Sequence, residues 1–215
     1  MMVPTNKQPL EILLNSRLVA VVRTSTRKGV IDAVRALKTG GVTCMEITMT
    51  IPDGISVIEQ LNREMPDILI GAGTVLTPQT VEECVAAGAE FIVSPIFDTE
   101  VVSRTRELGK VVIPGALTPT EVVAAWNSGA DLVKIFPVAR VGPKYISDLK
   151  APLPEIPLMP TGGINAENIS DYIHAGADVV CAGSWLVDKE AIAAGDFDTL
   201  TKKAEQMLAA IPKDN

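Results

Sequence analysis

Four segments of the chain repeat one pattern, and that repeat constrains the fold more than any other feature. GGVTCMEITM, AGAEFIVSP, SGADLVKIFP and AGADVVCAGS align on Gly41, Gly88, Gly129 and Gly176, at intervals of 47, 41 and 47 residues. Each interval has the length of two strand–helix units. Short β-branched runs do alternate with amphipathic stretches along the chain. The predicted strands are Leu18–Arg23, Thr43–Thr48, Ile68–Gly71, Phe91–Ser94, Val111–Pro114, Leu132–Phe136, Leu158–Pro160 and Val179–Ala182. Between them lie segments such as GVIDAVRALKTGG and TPQTVEECVAAGA, several closed by a glycine after the last apolar turn, a helix-ending signal. Eight strands separated by helices predict a parallel α/β sheet. At 215 residues they predict one (β/α)8 TIM barrel domain over residues 1–215. A doubly wound open sheet is the alternative. The first residues read as an extra N-terminal helix before strand 1, and Thr199–Ile211 as a closing helix.

In such a barrel the interior stacks in layers contributed by alternate strands. The position five residues after each aligned glycine is Glu46, Val93, Lys134 and Cys181. The repeat therefore predicts that Glu46 and Lys134 share one interior layer. The next inward positions, Thr48, Pro95, Phe136 and Gly183, fall one layer nearer the C-terminal face, where barrel active sites form. An isolated ammonium in a low-dielectric interior is costly, so it sheds its proton or finds a partner. A lysine without its proton is an amine nucleophile able to form a Schiff base with a carbonyl. Lys134 and Glu46 are thus the candidates for chemistry. The competing reading is a structural ion pair, although buried pairs are poor stabilisers.

Charge narrows the partners. The net charge of −7 argues against nucleic acid, since backbone binding needs a basic surface. It leaves room for an anionic small substrate held by local donors. No stretch reads as a membrane span, and the leading MMVPTNKQPLEILLNSR lacks the basic-then-apolar order of a signal peptide. Cys44, Cys84 and Cys181 are scattered, with no CxxC, and read as reduced packing residues of a cytoplasmic protein. No Asp/His/Glu set has convincing metal-ligand spacing. His174 falls toward the opposite face.

The loops after the predicted strands carry the remaining signals. Pro160-Thr161-Gly162-Gly163-Ile164-Asn165 follows strand 7 and Ala182-Gly183-Ser184-Trp185 follows strand 8, the two loops that commonly build a barrel phosphate site. Adjacent glycines let backbone N–H groups approach an anion, and Asn165 is placed to cap the next helix. Glycines serving only tight turns are the simpler alternative. After strand 3, Gly71-Ala72-Gly73-Thr74-Val75 brings a hydroxyl and backbone donors to the same face, where Thr74 and Thr161 can bind a small carboxylate. Arg23 ends strand 1. Arg140 and Lys144 fall on the segment leaving the lysine strand and read as solvated surface.

Taken together, E-I-T-M-T at Glu46–Thr50, G-A-G-T-V at Gly71–Val75, S-P at Ser94–Pro95, P-G at Pro114–Gly115, K-I-F-P at Lys134–Pro137, P-T-G-G-I at Pro160–Ile164 and G-S at Gly183–Ser184 resemble the KDPG/KHG aldolase family. KDPG is 2-keto-3-deoxy-6-phosphogluconate and KHG is 4-hydroxy-2-oxoglutarate. The resemblance runs from about Leu18 to Val187. It implies a class I pyruvate-type aldolase acting on a phosphorylated 2-keto acid, a homotrimer of (β/α)8 barrels without metal or organic cofactor. It implies Lys134 as the Schiff-base lysine and Glu46 as the general acid/base. It places Thr74 and Thr161 around the pyruvate carboxylate, Phe136 and Pro95 along that pocket, and Gly162, Gly163 and Ser184 at the phosphate. Some members carry an arginine where this chain has Thr50; Arg23 is the candidate to compensate, as in relatives with an arginine on strand 1. The galactonate epimer KDPGal is an alternative substrate. A phosphate-binding isomerase or decarboxylase barrel and a non-catalytic sugar-phosphate binder are the alternative classes, and neither gives Lys134 a nucleophilic role.

Overall fold

The computed structural model of the chain describes residues 7–212. Helix α1 (Lys7–Ser16) comes first, followed by β1 (Leu18–Val22), α2 (Arg27–Thr39), β2 (Cys44–Thr48), α3 (Gly54–Glu64), β3 (Leu69–Gly73), α4 (Pro78–Ala86), β4 (Phe91–Val93) and α5 (Thr99–Glu107). Strand five comes in two pieces, β5 (Val111–Ile113) and β6 (Gly115–Ala116). Then follow α6 (Pro119–Asn127), β7 (Val133–Ile135), α7 (Pro143–Lys150), β8 (Leu158–Pro160), α8 (Ile169–His174), β9 (Val180–Ala182), α9 (Lys189–Ala194) and α10 (Phe197–Ala209). The extra helix and the closing helix are both present. The first six residues of the chain lie outside the described region.

Every named strand pairing is parallel. One sheet runs β5-β4-β3-β2-β1-β9 and the other β6-β7-β8. The chain passes from one to the other through Pro114, and a parallel bridge between Thr161 and Cys181 links β8 to β9. The neighbours therefore follow one another around a curled (β/α)8 barrel-like sheet, not the doubly wound alternative. The predicted strand Val111–Pro114 stops at Ile113 because proline has no N–H to offer a ladder, and a second piece, Gly115–Ala116, lies beyond the predicted end. The Pro114 carbonyl still accepts a hydrogen bond from the Lys134 N–H at 2.9 Å.

The repeat has a backbone counterpart. Gly41, Gly88, Gly129 and Gly176 all adopt left-handed φ, between 96° and 101°, each at the turn between a helix and the next strand. Such φ values are accessible to glycine at little steric cost, which ties the sequence pattern to the turn. The helix starts are equally local. Thr77 and Thr118 each accept a hydrogen bond from the N–H three residues on, each is followed by proline, and Thr118 forms a reciprocal cap with Glu121.

Side-chain alternation divides the apolar residues into two layers. Ala20, Val22, Met45 and Ile47 face the helices, while Val19, Cys44, Phe91, Val93, Ile113, Met159 and Cys181 cluster inside the ring of strands. Leu13 of α1 is fully buried in the inner cluster, with Leu10 and Leu14 packed against it, so the extra helix stoppers one end of the interior. Two glycines of β3 make the inner packing possible. A Cβ on Gly71 would lie 2.4 Å from the Phe91 ring, and one on Gly73 would lie 1.7 Å from Oε1 of Glu46. Overpacking of this kind destabilises cores. Gly71→Ala is expected to lower the free energy of unfolding by about 1–3 kcal/mol in urea titrations, and Phe91→Leu in the same chain to restore part of the loss.

Candidate active site

The two charges predicted to share a layer meet inside the ring. Glu46 pairs in register with Val21 of β1 and Gly71 of β3, and Lys134 pairs with Gly115 of β6 and Met159 of β8. Lys134 Nζ lies 3.9 Å from Glu46 Oε2, with the side chains 7% and 1% exposed. That distance is an ion-pair contact but too long for a hydrogen bond. The ammonium position also sits 5.4 Å from the centroid of the Phe136 ring, which caps the layer toward solvent. The interior around them is apolar, so their interaction is weakly screened and a nucleophile placed there is shielded from bulk water.

Cys181 completes the layer. Its thiol donates to Oε2 of Glu46 at 3.6 Å. Burial, reinforced by the neighbouring carboxylate, pushes this thiol far above its ordinary value, so it stays protonated. The repeat alignment placed Cys181 in this layer, but only side-chain geometry reveals the contact. Sequence reasoning had read the residue as packing alone.

The loops at the C-terminal ends of the strands surround this pair. Thr48, fully buried one layer above Glu46, has its hydroxyl 3.0 Å from that of Thr50. Thr161 is nearly buried, and its hydroxyl donates to the Met159 carbonyl at 3.3 Å. Its own carbonyl accepts from Val138 N–H at 3.0 Å, tying the loop after β8 to the exit of the lysine strand. Gly162 and Gly163 take φ of 111° and 71°. Thr74 is half-buried and also left-handed, with φ 59°. Pro95 is half-buried against Gly115, where an added Cβ would come within 2.3 Å of the Pro95 carbonyl carbon. Gly183 sits beside Val21, next to Glu46's neighbour in register.

Three expectations need refining. Arg23 lies one residue beyond β1 and is exposed, so it stands at the rim of the ring. There it lines a cavity of about 820 Å³ with Thr24, Lys28, Thr50 and Lys189. Ser184 is exposed as well and lines a second cavity of about 390 Å³ with Gly163, Asn165, Trp185 and Lys203. Asn165 does not cap α8. Its side chain accepts from the N–H groups of Glu167 and Asn168, and Asn168 stands at the helix start. The two asparagines knit the loop, since Asn168 also donates to the Gly163 carbonyl at 3.0 Å and accepts from the Asn165 N–H. Lys203 spans Asp188 at 2.5 Å and the Trp185 ring, bracing the loop that bears Ser184.

Residues set aside in the sequence stay apart from the pair. His174 meets Ser170 on its own helix and Lys144 pairs with Asp148. Among the described residues, no group of three or more His, Cys, Asp or Glu is placed to hold a metal ion, and no helix is long and apolar enough to cross a membrane.

Comparison with known proteins places the chain in a family. The family model for KDPG and KHG aldolases matches residues 10–203. A 2-dehydro-3-deoxy-phosphogluconate aldolase of Treponema pallidum is 37% identical over 202 residues, covering 94% of this chain and 96% of the relative. The KHG/KDPG aldolase of Escherichia coli K12 is 33% identical, covering 92% and 93%. Among solved structures, the KDPG aldolase of Legionella pneumophila, with pyruvate captured at low pH as a covalent carbinolamine, matches with a TM-score of 0.86 at 31% identity, over 93% of this chain and 98% of that one. The chain belongs to the KDPG and KHG aldolase family.

Proposed function

We propose that this chain is a class I aldolase that cleaves KDPG to pyruvate and glyceraldehyde 3-phosphate, with KHG as a further substrate. In this reading Lys134 is the Schiff-base residue and Glu46 the general acid/base. The observation that carries the assignment is the lysine–glutamate pair, 3.9 Å apart and sequestered in an apolar interior below the C-terminal loops. Relatives named for KDPG and KHG cleavage, and a related structure holding pyruvate as a carbinolamine, support the same chemistry.

The steps follow from the two side chains. Lys134, as the free amine, adds to the C2 ketone of the substrate to give a carbinolamine. Loss of water yields a protonated imine, which draws electrons from the C3–C4 bond. Glu46, acting through a water, moves the protons of carbinolamine formation and then takes the C4 hydroxyl proton as that bond breaks. The aldehyde leaves, Glu46 returns its proton through the water to C3 of the enamine, and hydrolysis returns pyruvate and the amine. Thr74 and Thr161 hold the pyruvate carboxylate, with Thr48, Phe136 and Pro95 along the pocket. Gly162, Gly163, Gly183 and Ser184 hold the phosphate. Arg23, across the mouth beside Thr50, supplies the cation that other members carry after the glutamate. We extend the proposal to a homotrimer in the cytoplasm. Leu76, Ile96 and Val141, exposed apolar residues on loops after β3, β4 and β7, are the surface such an assembly would cover.

Borohydride reduction with pyruvate, followed by peptide mass mapping, is expected to place the adduct on Lys134 and to find none in Lys134→Ala. An adduct on another lysine would overturn the assignment. Glu46→Gln is expected to lower kcat by about 10²–10⁴-fold while adduct formation persists. Arg23→Ala is expected to raise KM for both KDPG and KHG, since each presents an anionic group in its distal half, a phosphate in one and a carboxylate in the other. Comparing kcat/KM for KDPG, KDPGal and KHG sets the substrate order.

A further inference from the structure

We propose that Cys181 is a positioning residue for the Glu46 carboxylate, holding it by a thiol hydrogen bond in the orientation that proton transfer requires. This inference rests on the aldolase reading above. The mechanism leaves Cys181 without a task, yet its sulfur is one of the atoms nearest the reacting pair.

The two oxygens of the carboxylate have different surroundings. Oε1 lies over Gly73, at a place that any side chain there would occupy. Oε2 faces two groups, Cys181 Sγ at 3.6 Å and Lys134 Nζ at 3.9 Å. The lysine contact cannot be the lasting restraint, because Nζ becomes an imine nitrogen during turnover and its charge and position change. The glycine side offers space and no donor. Among the described residues, that leaves the thiol as the one polar contact of Oε2 that persists through the covalent cycle.

Cys181 is itself held firmly. Its backbone pairs with Val19 of β1 and bridges Thr161 after β8. The residue has no exposed surface. Burial and the adjacent carboxylate keep the thiol protonated, so it acts as a donor and not as a nucleophile or a redox centre. An S–H group donates weakly, which suits a restraint that must not compete with the protons Glu46 carries. Small displacements of a catalytic group can cost large factors in rate, so a weak restraint at the right atom is sufficient to matter.

The test separates proton movement from covalent capture. Exchange of the pyruvate methyl protons in D2O, followed by NMR, reads the proton transfers at C3. Borohydride trapping with pyruvate, read by intact mass, reports adduct formation at Lys134. Cys181→Val fills the site without a donor. It is expected to slow exchange about tenfold, a part of the 10²–10⁴-fold that general acid/base help supplies, with trapped adduct and pyruvate KM as in the wild type. Cys181→Ser, which restores an O–H donor, is expected to recover the rate to within about threefold of wild type. Cys181→Ala, smaller and also without a donor, should follow the valine variant and serves if that variant does not fold. Wild-type exchange in both donorless variants would overturn the proposal. So would a serine variant as slow as the valine one, which would reduce Cys181 to packing. A wild-type protein that traps no pyruvate would instead overturn the aldolase reading itself.

Discussion

Everything at the centre of this molecule turns on placing two opposite charges in an apolar interior. Moving an ammonium or a carboxylate into an apolar interior is unfavourable by several kcal/mol per ion after relaxation, and mutual attraction only partly offsets it. Well-packed aliphatic side chains at positions 46 and 134 would serve stability as well or better. The proposed reaction gives the pair a reason that stability does not. A ring of strands lined by Val19, Phe91, Val93, Ile113 and Met159 supplies the dry surroundings, and α1 seals the end away from the loops.

The division of labour between ring and loops follows from this. The strands fix the reacting atoms through register: Glu46 beside Val21 and Gly71, Lys134 beside Gly115 and Met159. The loops deal with the rest of a substrate, and they are built from residues whose backbone must bend sharply, such as Gly162, Gly163 and Thr74. Rigid chemistry below and adaptable recognition above is the pattern that lets related barrels share one reaction while differing in what they accept. Thr50, in place of an arginine found in some members, and Arg23, at the rim of the neighbouring strand, illustrate that freedom.

Much of this architecture was legible in the chain. The glycine before each aligned segment carried real backbone information, because a left-handed turn at Gly41, Gly88, Gly129 and Gly176 is nearly a glycine-only conformation. Counting five residues onward from each then placed Glu46, Val93, Lys134 and Cys181 on one level. The break at Pro114 was less visible, since the flanking valines and isoleucine read as a continuous strand and only the missing N–H interrupts it. The capping role given to Asn165 failed for a different reason: Asn168 stands at the helix start, and the two asparagine side chains bond within the loop instead of capping α8, a geometry that composition does not encode. The thiol–carboxylate contact lay beyond sequence altogether. Periodicity assigns a level in the ring but not the rotamer that turns a side chain toward its neighbour.

The interruption at Pro114 has a mechanical side. It splits the ring into a leaf of six strands and a leaf of three, joined by scattered hydrogen bonds and the bridge between Thr161 and Cys181 instead of regular ladders. Glu46 belongs to the larger leaf and Lys134 to the smaller. In the proposed reaction the nucleophile and the proton carrier thus stand on different leaves, and their spacing is set across the two breaks. In that reaction a carbon skeleton and a water molecule enter between the leaves, and no single unbroken ladder holds both side chains.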